Sequence, residues 1–234
     1  LEESFLERCY HPPTRAVFEC EDAALNRFWP VGVETYRACS EDGLVDTPVR
    51  ERGQWTGDAV SAGMDIAAVS YGDLRLVRRS LQQAGECARS DGLVAAMCPG
   101  GMIHNLSFAA QWTYANWHYY ELTGDRAILE ENWAPAVRNM AAFEQRWTPG
   151  GVEDAGTWVF IDWGYVRNDG PVDYALNVHV LAAVRAIARW AEELEKPPDA
   201  ERYADWAIKL DEALRDWFER RAADSPGFSN VGYH

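Results

Sequence analysis

Thirteen consecutive positions bring together three carboxylates, two guanidiniums and an indole: Asp46-Thr47-Pro48-Val49-Arg50-Glu51-Arg52-Gly53-Gln54-Trp55-Thr56-Gly57-Asp58. Carboxyl groups held this close suit acid–base chemistry. Cleavage of a glycosidic bond is one reaction that needs it: one carboxylic acid protonates the leaving oxygen and another carboxylate works across the sugar. Like-charge repulsion from Asp46 and Asp58 would keep Glu51 protonated near neutrality. Arg50 and Arg52 act in the opposite sense, so the spacing leaves the balance open. Thr56 is the expected N-cap of a helix, which puts Asp58 in its first turn. The competing reading of these residues is an ion-paired loop that caps a helix.

The elements around this loop are helical. Helices are expected at about 22–40, 57–70, 74–89, 106–122, 126–147, 172–194 and 199–222, with no strong strand signal after residue 20. The third carries a one-sided apolar stripe (Leu74, Val77, Leu81, Ala84, Ala88), and the seventh another (Tyr203, Trp206, Leu210, Leu214, Trp217). The fifth has a looser one that runs to Trp147. The even-numbered helices lack a charged face: Phe108 to Trp117 is apolar or aromatic around its circumference, and Tyr174 to Val184 has Asn177 and His179 as its strongly polar members. Such helices are surrounded by protein. The alternation describes outer helices enclosing inner ones. Short connections at Gly72-Asp73, Gly124-Asp125 and Lys196-Pro197-Pro198 contrast with long ones at 41–56, 90–105 and 148–171. Antiparallel succession puts all three long loops at one end, where sites concentrate. Before residue 20, Arg15 to Cys20 reads as a short extended segment, the end of a preceding β domain or linker.

Composition narrows the ligand. The 234 residues carry a net charge of -15 and include 11 Trp. An acidic surface repels phosphate backbones and anionic lipid, so nucleic acid and membrane are poor partners. Neutral polyhydroxylated ligands carry no such penalty, and indole faces stack on sugar rings. The five cysteines are odd in number and widely spaced, which argues against a disulfide framework or a zinc site. Neither they nor the five histidines form a metal-ligand pattern, and His104, His118 and His179 read as core residues.

Three segments together carry a family resemblance. Phe18-Glu19-Cys20-Glu21-Asp22, Leu25-Asn26-Arg27-Phe28-Trp29 and the loop from Asp46 to Asp58 resemble the α-L-rhamnosidases of glycoside hydrolase family 78, whose catalytic domain opens with F-x-C-S-D, L-N-x-x-W and D-x-P-x-R-E-R-x-x-W-x-G-D. Weaker similarity continues through Trp112, Tyr119-Tyr120-x-x-Thr123-Gly124-Asp125 and Asp162-Trp163. Many members read Asp-Cys-Pro where this chain has Asp46-Thr47-Pro48, a mild departure that keeps the carboxylate and the proline. The resemblance implies that Glu51 is the general acid, that Asp46 and Asp58 bind rhamnose hydroxyls, and that Arg50 contacts the sugar. It places Trp55 on the motif tryptophan, makes Trp112 and Trp163 aromatic walls of the sugar subsite, and puts Asp162 beside the latter.

The expected molecule is therefore all-α: residues 21–234 form the N-terminal part of an (α/α)6 barrel, truncated before the ring closes. It would belong to an inverting exo-glycosidase that removes terminal α-L-rhamnosyl residues and needs no metal or organic cofactor. The partners implied are a rhamnose-bearing substrate and the remaining part of the same polypeptide, which would supply the general base after His234. The chain alone would then be inactive unless Asp154 or Asp162 stood in as base. Other readings are a related (α/α)-barrel glycosidase of different sugar specificity and a glycan-binding domain without catalysis.

Overall fold

The computed structural model describes residues 8–10, 12–165, 167–168 and 170–224, with side chains to residue 220. Among them are seven helices, at the expected places. They are α1 (Ala23–Ala38), a composite α2 running from Thr56 to Tyr71, α3 (Arg75–Glu86), α4 (Leu106–Thr123), α5 (Arg126–Glu144), α6 (Tyr174–Glu193) and α7 (Pro197–Asp224). Within α2 the backbone is α-helical over Thr56–Asp58 and Met64–Ile66, and π-helical over Ala59–Gly63 and Ala67–Tyr71.

Local chemistry fixes the helix ends. Asp22, Asn105, Asp125 and Asp173 each accept a backbone N–H of the first turn of the helix they precede. Gly72 and Gly124 end α2 and α4 in the left-handed conformation, at φ 62° and 69°, which explains why those connections are so short. Pro197 opens α7, where its missing N–H costs no hydrogen bond.

The helices alternate between an outer and an inner layer, as part of an (α/α)6 barrel. Helix α4 is the most enclosed: every residue from Leu106 to Thr113 is buried. Buried polar groups lock it and its neighbours together. Asn139 of α5 donates to Ala109 O and to Thr113 Oγ1 and accepts from Val94 N, and Trp190 of α6 donates to Leu129 O at 3.1 Å.

Three expectations need correction. Inner helices α2 and α6 are not wholly surrounded. Ser61, Ala62, Asp65 and Val69 of α2 are exposed, as are Val178, Ala182, Arg185 and Arg189 of α6, because no described element covers those faces. Asp65 is among them, paired at 3.1 Å with His118, whose side chain is 44% exposed rather than part of the core. Trp147 is not the end of α5: the helix stops at Glu144, and Trp147–Thr148 pairs antiparallel with Gly151–Val152 in a short hairpin. Gly151 stands there at φ 130° with Asn177 close against it, so a glycine is required. Residues 12–20 carry no regular secondary structure, and Arg15 and Ala16 donate to Ser70 O at the end of α2. The expected approach to a next inner helix at 228–234 lies outside the described residues. Among the described residues, no helix is long and apolar enough to cross a membrane.

Candidate active site

The segment between α1 and α2 folds back on itself. Asp46 N donates to Gly53 O at 2.9 Å, and Asp46 Oδ1 accepts Gly53 N–H at 2.8 Å. Inside this closed turn Thr47 Oγ1 accepts the Glu51 N–H at 3.1 Å. Arg52 takes a left-handed backbone, φ 51°, that turns its guanidinium onto Glu41 at 2.5 Å. Arg52 is thereby engaged away from Glu51, and the arginine beside Glu51 is Arg50, at 3.0 Å from Oε2. The indole Nε1 of Trp55 donates to Oε1 at 3.3 Å.

Thr56 does not cap α2. The helix begins with it, and Trp55 holds the cap position without a side-chain bond. Thr56 instead reaches into the segment between α3 and α4: its N–H donates to Ala96 O at 2.7 Å and its hydroxyl to Ala95 O at 2.9 Å. Met97 forms bridges with both Trp55 and Ile103. The segment between α5 and α6 joins from the other side, where Leu106 N donates to Trp158 O at 3.0 Å and Ser107 Oγ donates to Phe160 O. All three long connections therefore meet at the starts of α2 and α4, as the alternation of loop lengths requires.

Between them lies a cleft of about 620 Å³ lined by Asp46, Thr47, Arg50, Glu51, Trp55, Asp58, Phe108, Trp158, Phe160 and Trp163. One wall is charged and the other is a relay of rings. Trp55 meets Phe108 and Trp158 edge-on at 6.0 and 6.1 Å, Phe108 meets Phe160 at 5.8 Å, and Phe160 meets Trp163 at 5.2 Å. Trp163 is 89% exposed, a ring face held out at the rim. Gly57 makes the Phe108 position possible, because a Cβ on it would lie 2.4 Å from that ring.

Electrostatically, Asp58 is pushed above the ordinary aspartate range although its side chain is open to solvent: the protein packed around it contributes most, then the charge of Asp46, with Glu51 adding. Burial, then Asp46 and Asp58, also push the Cys39 thiol upward behind the loop.

Two of the expected site residues stand apart from the cleft lining. Trp112 is fully buried, its Nε1 donating to Leu81 O at 2.7 Å and its ring against Gly85. It sits one turn below Phe108 on the same side of α4, so it packs between α3 and α4 while Phe108 faces the cleft. Asp162 is exposed and accepts the Trp163 N–H at 2.7 Å, beside the rim ring rather than in the cleft. Asp154 is tied up elsewhere: burial raises it, but the Gly156 N–H and Arg167 outweigh burial and hold it below the ordinary range. Phe108, Trp158 and Phe160 are the lining residues that sequence reasoning missed.

Alternating inner and outer helices, with their long connections gathered at one end around the cleft, place this domain in the class of helical-hairpin barrels. Residues 13–227 match the model of the bacterial alpha-L-rhamnosidase 6 hairpin glycosidase domain, and the chain belongs to that family. Among solved structures it is similar to the GH78 family rhamnosidase of Bacillus sp. GL1, with TM-score 0.80 and 23% identity over 89% of this chain and 22% of that one. It also resembles a rhamnosidase from Klebsiella oxytoca with rhamnose bound, with TM-score 0.72 and 25% identity over 83% of this chain and 38% of that one. A third is the Streptomyces avermitilis alpha-L-rhamnosidase complexed with L-rhamnose, with TM-score 0.71 and 21% identity over 85% of this chain and 19% of that one. The chain thus spans less than two fifths of the length of each of these relatives. A search of curated proteins gave no match.

Proposed function

We propose that the cleft is the acid side of an exo-acting, inverting α-L-rhamnosidase site. The observation that carries this reading is that Glu51 shares one cavity with Asp46, Asp58 and the rings of the α5–α6 segment. In it, Glu51 protonates the leaving glycosidic oxygen. Asp46 and Asp58 take the hydroxyl groups of the sugar, and Arg50 closes on it from the exposed side. Trp55, Phe108, Trp158, Phe160 and Trp163 offer an apolar face suited to a deoxysugar with a methyl group at C6. Asp162 contributes by holding Trp163, and Trp112 by packing. The rhamnose bound to the Klebsiella and Streptomyces relatives supports the choice of sugar.

Inversion needs a second carboxylate about 6.5–9.5 Å from the acid, leaving room for water. The carboxylates that line this cleft all come from the acid's own segment and the start of α2, and the facing wall is aromatic. We assign the base to further polypeptide beyond the described residues. Replacing Glu51→Gln in the complete enzyme is expected to lower turnover by at least about 10²-fold with an unchanged circular-dichroism melt. Near-normal hydrolysis of p-nitrophenyl α-L-rhamnoside by that variant would remove Glu51 from the role.

A further inference from the structure

The two oxygens of Glu51 are held by donors of opposite character. Oε1 accepts the indole N–H of Trp55 at 3.3 Å, and Oε2 accepts Arg50 at 3.0 Å. The indole is fixed: its ring is gripped edge-on by Phe108 at 84° and by Trp158 at 75°, and its backbone is bridged to Met97. Phe108 is itself buried and pressed against Gly57. Arg50 has no such support, with 77% of its side chain exposed. An exposed pair of this kind is weak and exchanges readily.

We propose that Trp55 is a positioning residue that fixes which oxygen of Glu51 delivers the proton; the inference rests on the reading of Glu51 as the acid. When a sugar enters, Arg50 leaves Oε2 for the ligand, while the indole N–H stays on Oε1. A neutral carboxyl group then has its carbonyl-type oxygen at Oε1, accepting from the indole, and its O–H at Oε2, directed to the glycosidic oxygen. In the reaction the Oε2–H bond breaks, its proton passes to the leaving oxygen, and the electron pair stays on the carboxylate. That carboxylate keeps the Trp55 hydrogen bond, which is stronger to the charged form than to the neutral one. The indole thereby stabilises the product side of the proton transfer without moving.

The test uses leaving groups that need the acid to different degrees. A 2,4-dinitrophenolate departs with little protonation, whereas phenolate needs it. In the complete enzyme, Trp55→Phe keeps an aromatic ring and deletes the N–H. It is expected to lower kcat/KM on phenyl α-L-rhamnoside at least about ten-fold more than on the 2,4-dinitrophenyl glycoside. Phe108→Leu keeps the N–H but loosens the ring that aims it, and should give the same asymmetry more weakly. Equal losses on both substrates in both variants would reduce Trp55 to a sugar contact or packing residue and overturn the proposal. Glu51→Gln, assayed alongside, separates the two levels. A strong leaving-group dependence there with none in Trp55→Phe sinks the positioning role alone, and none in either sinks the acid assignment as well.

Discussion

Asp58 pays for its place in the cleft. The protein packed around it and the charges of Asp46 and Glu51 all raise its pKa in the folded chain. An aspartate in the unfolded chain ionises near about 3.9. As pH rises from there, the unfolded chain releases this proton before the folded one does. The folded state therefore loses stability until the higher native pKa is passed, and the deficit persists at neutrality. Asp58→Asn is expected to melt at a higher temperature than the parent at pH 7 and to match it near pH 3, while losing affinity for the sugar. A variant no more stable at pH 7 than at pH 3, relative to the parent, would show that the native carboxyl is not strained. The charged wall of the site was readable in the sequence because its residues are contiguous. The aromatic wall was not, since its rings come from the start of α4 and from the α5–α6 connection, and core tryptophans look the same in sequence. Trp112 illustrates this: one helical turn separates it from Phe108, and nothing in its residue type tells which ring faces the sugar. The signal that was available is the Trp158-x-Phe160 spacing, because alternate residues of an extended segment point the same way.

Among the elements, the joint between α2 and α4 is the tightest at the site. The Cβ of an alanine at position 57 would lie 2.4 Å from the Phe108 ring. Overpacking of this kind costs about 1–3 kcal/mol. Gly57→Ala is therefore expected to lower unfolding free energy by that amount and to impair catalysis with it, since the displaced ring carries Trp55. The cost should shrink in a Phe108→Leu background, which a double-mutant cycle in urea would reveal; additive costs would mean that the ring is not the obstacle. Helix positions were legible because apolar periodicity and capping residues coincide at Asp22, Asn105, Asp125 and Asp173. The hairpin after α5 was not, because Trp147 continues the apolar rhythm of the helix while the turn that diverts it rests on glycines further on. The π-helical turns of α2 leave no mark in a pattern of small residues.

For the whole molecule, exposed apolar side chains recur on several helices. Leu25, Phe28 and Val31 on α1 and Val69 on α2 are all exposed, as is Val178 on α6. Apolar faces of this extent favour association. The 234-residue chain, purified by itself, is expected to form concentration-dependent oligomers in sedimentation velocity, and to leave p-nitrophenyl α-L-rhamnoside uncleaved. A monodisperse monomer at tens of micromolar would contradict the first expectation. Turnover comparable to that of a complete relative would contradict the second, and would point to a second carboxylate already in place. The layered architecture was legible at this scale from the alternation of wet and apolar helices. The exposed sides of α2 and α6 were not, because their charges, Asp65 on α2 and Arg185 and Arg189 on α6, are few beside the small apolar residues and do not mark a continuous face.

The widened turns of α2 also bear on how this helix tolerates change in length. An α-helix advances by about 100° per residue, and π turns commonly mark single-residue insertions accommodated inside an α-helix. The turn over Ala59–Gly63 separates Asp58, in the cleft, from Met64, fully buried in the core. Loss of one codon between them would tighten that turn to α-helical pitch and leave the bearing of Asp58 relative to Met64 nearly unchanged, because the wide turn already absorbs the additional residue. Deletion of Ser61, which is exposed, is accordingly expected to spare both the fold and the cleft, whereas the same deletion within the regular turns of α4 would rotate one end against the other by about 100°. A Ser61 deletion that folds but no longer holds the sugar would show that the widened turn carries no spare residue. In this stretch chain length and side-chain bearing are uncoupled.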